Sequence, residues 1–380
     1  LRRAPPIWGA ALCYLREATE PPMVPDALFK SDVEAARCDL LAWWRREGLA
    51  LHITAPRDKA IAGFPAPPSV GLDERWLSPA YRVAQQLHHM AATFFGGVAL
   101  PIFSTDIGPG SLGLLMGGVG HYDDVTVWYE PSITDAELDR PLALDPACAW
   151  WERHFALLRA GQEANRGRYL VGMPDLIENL DTLAQLRGNE EVLFDMADRP
   201  RWVERNIEAT NELWFEAFEA MRPWVDDGAG GNAWGAFAIW GPGRTAKVQC
   251  DLACALSPAA FRRFVQPALS DQCRRLDYSL FHLDGTNALP QLDNLLAIDA
   301  LDAIEWTPQS GRPGGGSPEW YDLYRRIKAG GKAVQVVGAT VDEVEPLIDA
   351  VGPEGLFIMT WARDEEQARR LLDRCGRREA

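Results

Sequence analysis

From Tyr278 onward the chain alternates largely apolar runs with amphipathic ones. Tyr278-Ser279-Leu280-Phe281-His282-Leu283 has the aromatic and aliphatic character of a strand covered on both faces, and it opens onto Asp284 and Gly285. Leu289, Leu292, Leu295 and Leu296 then fall on one helical face, which predicts a helix over 288–296. Ala303-Ile304-Glu305-Trp306-Thr307 reads as the next strand. Ser317-Pro318 is an N-cap followed by Pro at the first helical position, starting a helix to about Lys328. Strands at 332–337 and 355–360 and helices at 341–351 and 364–374 complete the series. Repeated strand-helix units of one type predict an α/β protein, a (β/α)8 TIM barrel, with His282 and Asp284 at the carboxyl end of a strand, where such folds carry chemistry.

The same reading applied upstream predicts a helix at 33–47, a strand at 49–54, a loop from Pro56 to Gly71 and a helix at 81–95. His88 and His89 on that helix point about 100° apart and do not converge on one metal. Val98 to Gly108 reads as a strand ending in Asp106, a strand-end acid and so a catalytic candidate, with a turn cap as the plainer alternative. Strand pieces at 126–129, 168–173 and 247–252 and helices at 149–166, 178–186 and 201–221 fill the middle, and Ser257-Pro258 starts another helix. Gly228 to Gly235 lacks both the phosphate-loop and the dinucleotide glycine patterns, so it reads as a lid or wall where ligand approaches backbone. The chain divides into an N-terminal extension, 1–75, decorating a barrel at 76–380.

Composition narrows the function. A net charge of −16 argues against nucleic acid or an anionic membrane as partner, and no apolar run reaches membrane-spanning length. Cys13, Cys38, Cys148, Cys250, Cys254, Cys273 and Cys375 are too scattered for a disulfide framework, so the expected setting is a reducing cytoplasm. Trp128, Trp234, Trp240, Trp306 and Trp361 lie in or beside the loops that should crown the barrel, where indole suits a flat, methylated or cationic ligand. Gln309 and Gln335 are placed to orient polar substrate groups, and Arg363 to anchor an anion.

Taken together, Ile102-Phe103-Ser104-Thr105-Asp106-Ile107, Arg168 to Asp181 with Asp195 to Pro200, and the stretch Asp251 to Trp306 resemble the uroporphyrinogen decarboxylase superfamily. This is a (β/α)8 barrel family that also includes methylcobalamin:coenzyme M methyltransferases and related corrinoid methyltransferases. The resemblance runs from about Val98 to the C-terminus. It implies a catalytic role for Asp106, the position of the tetrapyrrole decarboxylases' aspartate. Those enzymes also carry an N-terminal arginine cluster, for which Ala11-Leu12-Cys13-Tyr14-Leu15-Arg16 supplies one arginine. Corrinoid-linked relatives bind zinc through His-x-Cys where this chain has His282-Leu283-Asp284, and through a later cysteine where it has Thr360-Trp361. The resemblance thus implies zinc held by His282 and Asp284, with Cys250 or Glu305 completing the set, in a harder site than one built on thiolates.

The expectation is a cytoplasmic enzyme acting on a small organic substrate by methyl transfer or demethylation. His282, Asp284 and Asp106 are its catalytic residues, and a corrinoid on a partner protein and a homodimer are implied by the resemblance. The alternatives are a metal-free decarboxylase or other lyase, in which His282 and Asp106 do acid-base work, and a non-catalytic ligand-binding barrel.

Overall fold

The computed structural model describes residues 28–376. The stretch Ala11 to Arg16, with its single arginine, lies outside the described residues. The strands are β1 (Leu49–Pro56), β2 (Thr93–Gly97), β3 (Ile102–Phe103), β4 (Val119–Tyr122), β5 (Val127–Glu130), β6 (Leu170–Met173), β7 (Gly231–Trp234), β8 (Ile239–Pro242), β9 (Thr245–Gln249), β10 (Tyr278–Asp284), β11 (Ala303–Thr307), β12 (Ala333–Ala339) and β13 (Leu356–Trp361). They form a mixed α/β fold with parallel sheets. A seven-stranded sheet runs β2-β1-β13-β12-β11-β10-β9, parallel except where β2 meets β1. A four-stranded sheet runs β3-β6-β7-β8 with an antiparallel last pair, and β4 and β5 form a separate hairpin.

No backbone ladder joins the two sheets among the described residues, but they abut on both sides. On one side the Asn232 amide takes the place of a strand neighbour: its Nδ2 donates to Thr245 O at 2.8 Å and its Oδ1 accepts from Thr245 N at 3.0 Å. On the other, β2 continues directly into β3, with Val98 N donating to Leu51 O and Leu170 N to Pro101 O, both at 2.9 Å.

Strand alternation sorts the larger sheet into two faces. Ile304 and Trp306 of β11 are fully buried in the core, where Trp306 meets Trp320 at 5.0 Å between ring centroids, while Glu305 points the other way toward His282. Helix Val33–Trp44 stoppers the amino-terminal end of the strands. Its Trp43 and Trp44 are buried, and their indole N–H groups satisfy the carbonyls of Val334 at 3.1 Å and Trp240 at 2.9 Å.

Several elements depart from the sequence expectation, each for a local reason. Residues 49–56, assigned to the N-terminal extension, form a strand inside the main sheet, paired with β13. The helix expected to Phe95 ends at Ala92, because the β-branched Thr93 and the following aromatics extend into β2. The long strand expected over 98–108 shrinks to Ile102–Phe103, since Pro101 has no N–H for a ladder. The glycine-rich segment after Gly230 is a hairpin, β7 and β8, rather than a loop. The helix expected over 288–296 enters through a 3-10 stretch, Thr286–Gln291, containing Pro290. No helix among the described residues is long and apolar enough to cross a membrane.

Two histidines inside this fold predict acid sensitivity. His154 is fully buried, its Nδ1 bonded to Trp150 O at 2.7 Å and its Nε2 without a partner. His52 is buried on β1 with Nδ1 unpartnered. Desolvation is the main cause that lowers both to about 4. A folded pKa below the free value means the unfolded chain takes up protons first. Stability is therefore full above the free histidine pKa and falls as pH drops from about 6.5 toward 4, by roughly 1.4 kcal/mol per pH unit for each histidine. Urea midpoints measured from pH 4.5 to 7 should show this slope, and His154→Gln should flatten it. An unchanged slope in the variant would remove His154 from the account.

Candidate functional site

The carboxyl ends of β9, β10 and β11 place a polar row on one face of the sheet. Adjacent parallel strands bring Gln249, His282 and Glu305 side by side, with Asp284 beside Thr307 one pleat further out. His282 Nδ1 and Glu305 Oε2 are 2.5 Å apart, and Glu305 Oε1 accepts from Thr307 Oγ1 at 2.8 Å. Glu305 is fully buried. Burial alone would lower the His282 pKa, but the hydrogen bond and charge of Glu305, then the charge of Asp251, outweigh it and raise the pKa. With Nδ1 engaged, Nε2 is the nitrogen left for a ligand.

Ligand atoms of Asp251, His282 and Asp284 all lie within 4.8 Å of one another. Asp251 follows β9 directly and stands at the rim. Crowding around its carboxyl raises its pKa to about 7, desolvation first and the Asp181 charge second. Gln249 Nε2 donates to Asp251 at 2.9 Å, and Asp181 accepts the backbone N–H groups of Asp251 at 2.7 Å and Leu252 at 3.0 Å, pinning the start of that turn. The network continues inward. Gln249 Oε1 accepts from Lys247 Nζ, which is 2.6 Å from Asp175 Oδ1, and Glu178 accepts the Gln249 backbone N–H. Burial opposes the Lys247 cation, but Asp175 and Glu178 prevail and raise its pKa, while burial pushes the Glu178 carboxyl well up.

Asp106 lies at the other end of this network. Its Oδ2 accepts from Ser104 Oγ at 2.7 Å and its Oδ1 from Asp175 N at 2.7 Å, while Arg82 holds its backbone carbonyl at 2.9 Å. Burial, then the Asp175 charge, raises its pKa. The tip of the β7–β8 hairpin stands between the two acids' surroundings. A Cβ on Gly235 would come within 3.2 Å of Asp106 Oδ2, and the Phe237 ring lies 4.6 Å from the His282 ring. Phe237 and Ala238 take left-handed backbone angles, φ 59° and 49°, which side-chain-bearing residues adopt only when their surroundings hold them there. Gln335 supplies one such hold, its Nε2 donating to Phe237 O at 2.8 Å.

The structure disperses the other sequence candidates. Trp306 is buried in the core against Trp320, away from the face that carries His282. Trp240 is buried, donating to Asp227 Oδ2 at 2.9 Å with Arg37 over its ring, and its carbonyl receives Trp44. Trp234 is buried as well, bonded to Thr245 O at 2.7 Å. Trp128, on the β4–β5 hairpin, is exposed and bonded to Asp123, and Trp361 is exposed at the end of β13. Gln309 accepts from Thr286 at 2.6 Å, and Arg363 pairs with Asp364 at 3.0 Å. Cys250 is buried outside the three-residue cluster, with burial pushing its thiol well up, and Glu305 is spent on His282. Asp251 is the group that sequence reasoning passed over. Its signal was available: Lys247-Val248-Gln249-Cys250-Asp251 alternates polar and apolar positions and ends in an acid, as Phe281 to Asp284 does.

No protein-family model matches the chain, and no curated protein matches it in sequence. Among solved structures, the fold is similar to that of a methyltransferase from Methanosarcina mazei, with a TM-score of 0.59 at 12% identity, over 89% of this chain and 97% of that one. The likeness is one of fold.

One imidazole and two carboxylates converging at a strand end are a donor set that fits a divalent metal. The set is harder than one containing thiolates, as no cysteine belongs to it. Glu305 meets the usual requirement for an acceptor on the ligating histidine's other nitrogen.

Proposed function

We propose that the chain is a closed (β/α)8 barrel enzyme that moves a methyl group from a heteroatom of a small organic substrate, at a metal held by Asp251, His282 and Asp284. The observation that carries this reading is the convergence of those three side chains within 4.8 Å, with Glu305 fixing the imidazole. The abutting sheet edges at Asn232 and Val98 support closure, and the fold likeness to a methyltransferase supports the reaction class. A divalent metal supplies Lewis acidity, polarising a bound heteroatom so that its bond to methyl breaks more readily.

The chain's own residues do the rest. Glu305 holds the His282 proton at Nδ1 and keeps Nε2 facing the cluster. Asp181 and Gln249 set the position of Asp251. With two carboxylates in place of thiolates, an oxygen or nitrogen substituent is the substrate group this site favours over sulfur. Zinc is the metal proposed from this donor set, and a corrinoid carried by a partner protein is the proposed methyl acceptor. Asp106, a second acid beyond the hairpin tip, faces the side of the substrate away from the cluster.

The test is to incubate zinc-loaded protein with methoxy- and methylamino-compounds and cob(I)alamin and to follow formation of the methylated corrinoid spectroscopically. Turnover that is lost in Asp251→Asn supports the reading. Release of carbon dioxide from carboxylated substrates by metal-free protein would replace it with the lyase reading. A milder change probes the supporting shell: Glu305→Gln should weaken zinc binding by about 10–100-fold while leaving the stoichiometry at one. Unchanged affinity would mean that Glu305 does not orient the imidazole.

A further inference from the structure

The hairpin tip and the side chains it touches carry one more step, which rests on the reading of His282 as part of the reaction site. Gln335, from the middle of β12, is fully buried. Its Nε2 is satisfied by Phe237 O at 2.8 Å and lies 3.4 Å from the Met359 sulfur, but its Oε1 has no partner. Met359 lies beside His52 in the sheet, and the buried His52 Nδ1 also has no partner. A buried polar atom left unpaired is costly, and two of them flanking one methionine point to a group that arrives from outside. The tip satisfies only half of the Gln335 amide, and it does so from left-handed backbone at two residues that are not glycine.

We infer that the Phe237 tip occupies the seat of the substrate's ring, and that Gln335 selects a flat substrate whose edge presents a carbonyl oxygen beside an N–H. A primary amide offers a donor and an acceptor side by side, and its complement is an edge with the same pair reversed. Such an edge keeps the bond from Nε2 that Phe237 O now receives and adds the missing one to Oε1. A flat ring in place of the phenyl group lies against the His282 imidazole, which brings a heteroatom on that ring to the metal-binding cluster. For this to happen the Gly235–Ala238 tip must swing out, releasing its left-handed residues.

Isothermal titration of the full chain with 2-pyridone, which has the C=O and N–H edge, and with 1-methyl-2-pyridone, which lacks the N–H, tests the assignment. The expected result is binding of 2-pyridone about 10-fold tighter than of the N-methyl compound. Gln335→Met, close in volume and without the amide, should abolish that preference. Phe237→Ala, which removes the ring but keeps the left-handed strain of the seated tip, should tighten 2-pyridone binding by roughly 10-fold by vacating the seat. No binding to either protein, equal binding of the two compounds, or a preference that survives in Gln335→Met overturns the inference, and weaker binding by Phe237→Ala makes the ring a wall rather than an occupant. Zinc affinity of the same proteins keeps the two readings apart. Zinc bound without Gln335-dependent discrimination sinks the seat alone, whereas no zinc bound by the wild type sinks the reaction-site reading.

Discussion

Wild-type protein incubated with zinc and dialysed should retain one equivalent, and His282→Ala protein treated beside it should retain none. Removing the Glu305 partner costs about 10–100-fold in metal affinity, so loss of the ligating nitrogen itself should cost more than 100-fold. Asp251→Asn should fall in the same range. It keeps the shape of the side chain and the bond from Gln249 while exchanging an anionic oxygen for a neutral one. The substitution at His282 leaves Phe281 and Leu283 in the core on the other face of β10, but it removes the partner of the buried Glu305 carboxyl, so some stability should be lost with it. A circular dichroism spectrum like that of the wild type, with the same zinc loss in Asp251→Asn, which leaves the His282–Glu305 pair in place, would confirm that a lost metal reflects a lost ligand. Retention of full zinc by both variants would show that the cluster is not a metal site and would move the chemistry to Asp106 and its neighbours.

The parts of this fold that were legible in the sequence are those in which local pattern and burial agree. β11 and the helix Val341–Val351 match their expected bounds because Pro308 stops the strand and the Thr340 cap and Gly352 bracket the helix. His282 and Asp284 were legible for the same reason, as polar residues ending an apolar run. What escaped was set by partners distant in sequence. Trp306 and Glu305 are neighbours, and only pairing with β10 and β12 decides that the acid faces His282 and the indole faces Trp320. Phe237 gave no signal at all: its position against His282 depends on a hairpin whose first strand pairs with β6 and on an amide from β12. The Asn232 bridge between the sheets is likewise a side chain doing the work of backbone, which no periodicity reveals.

Lys247→Met should be the most damaging single change in the protein. Lys247 is 1% exposed, and its ammonium group pairs with Asp175 and donates to Gln249 inside a network that also holds Glu178, Asp181 and Asp251. Methionine fills the space of the stem but leaves Asp175 and Glu178 buried without the charge that offsets them. Removing one member of a buried pair costs about 3–5 kcal/mol, because the remaining charge must be neutralised or hydrated in place. For a chain of 380 residues that corresponds to a fall in Tm on the order of 4–6 °C. The pH dependence separates this mechanism from a packing defect. Burial already pushes the Glu178 carboxyl well up and the Lys247 charge opposes that, so without Lys247 it is raised further. A carboxyl raised in the fold takes up its proton before the unfolded chain does, so the variant should regain stability relative to the wild type as pH falls. Adding Asp175→Asn and Glu178→Gln to Lys247→Met should recover more than half of the loss at neutral pH, since neutral amides remove the stranded charges. A triple variant no more stable than Lys247→Met would show that the lysine stem, rather than its charge, supports this part of the molecule.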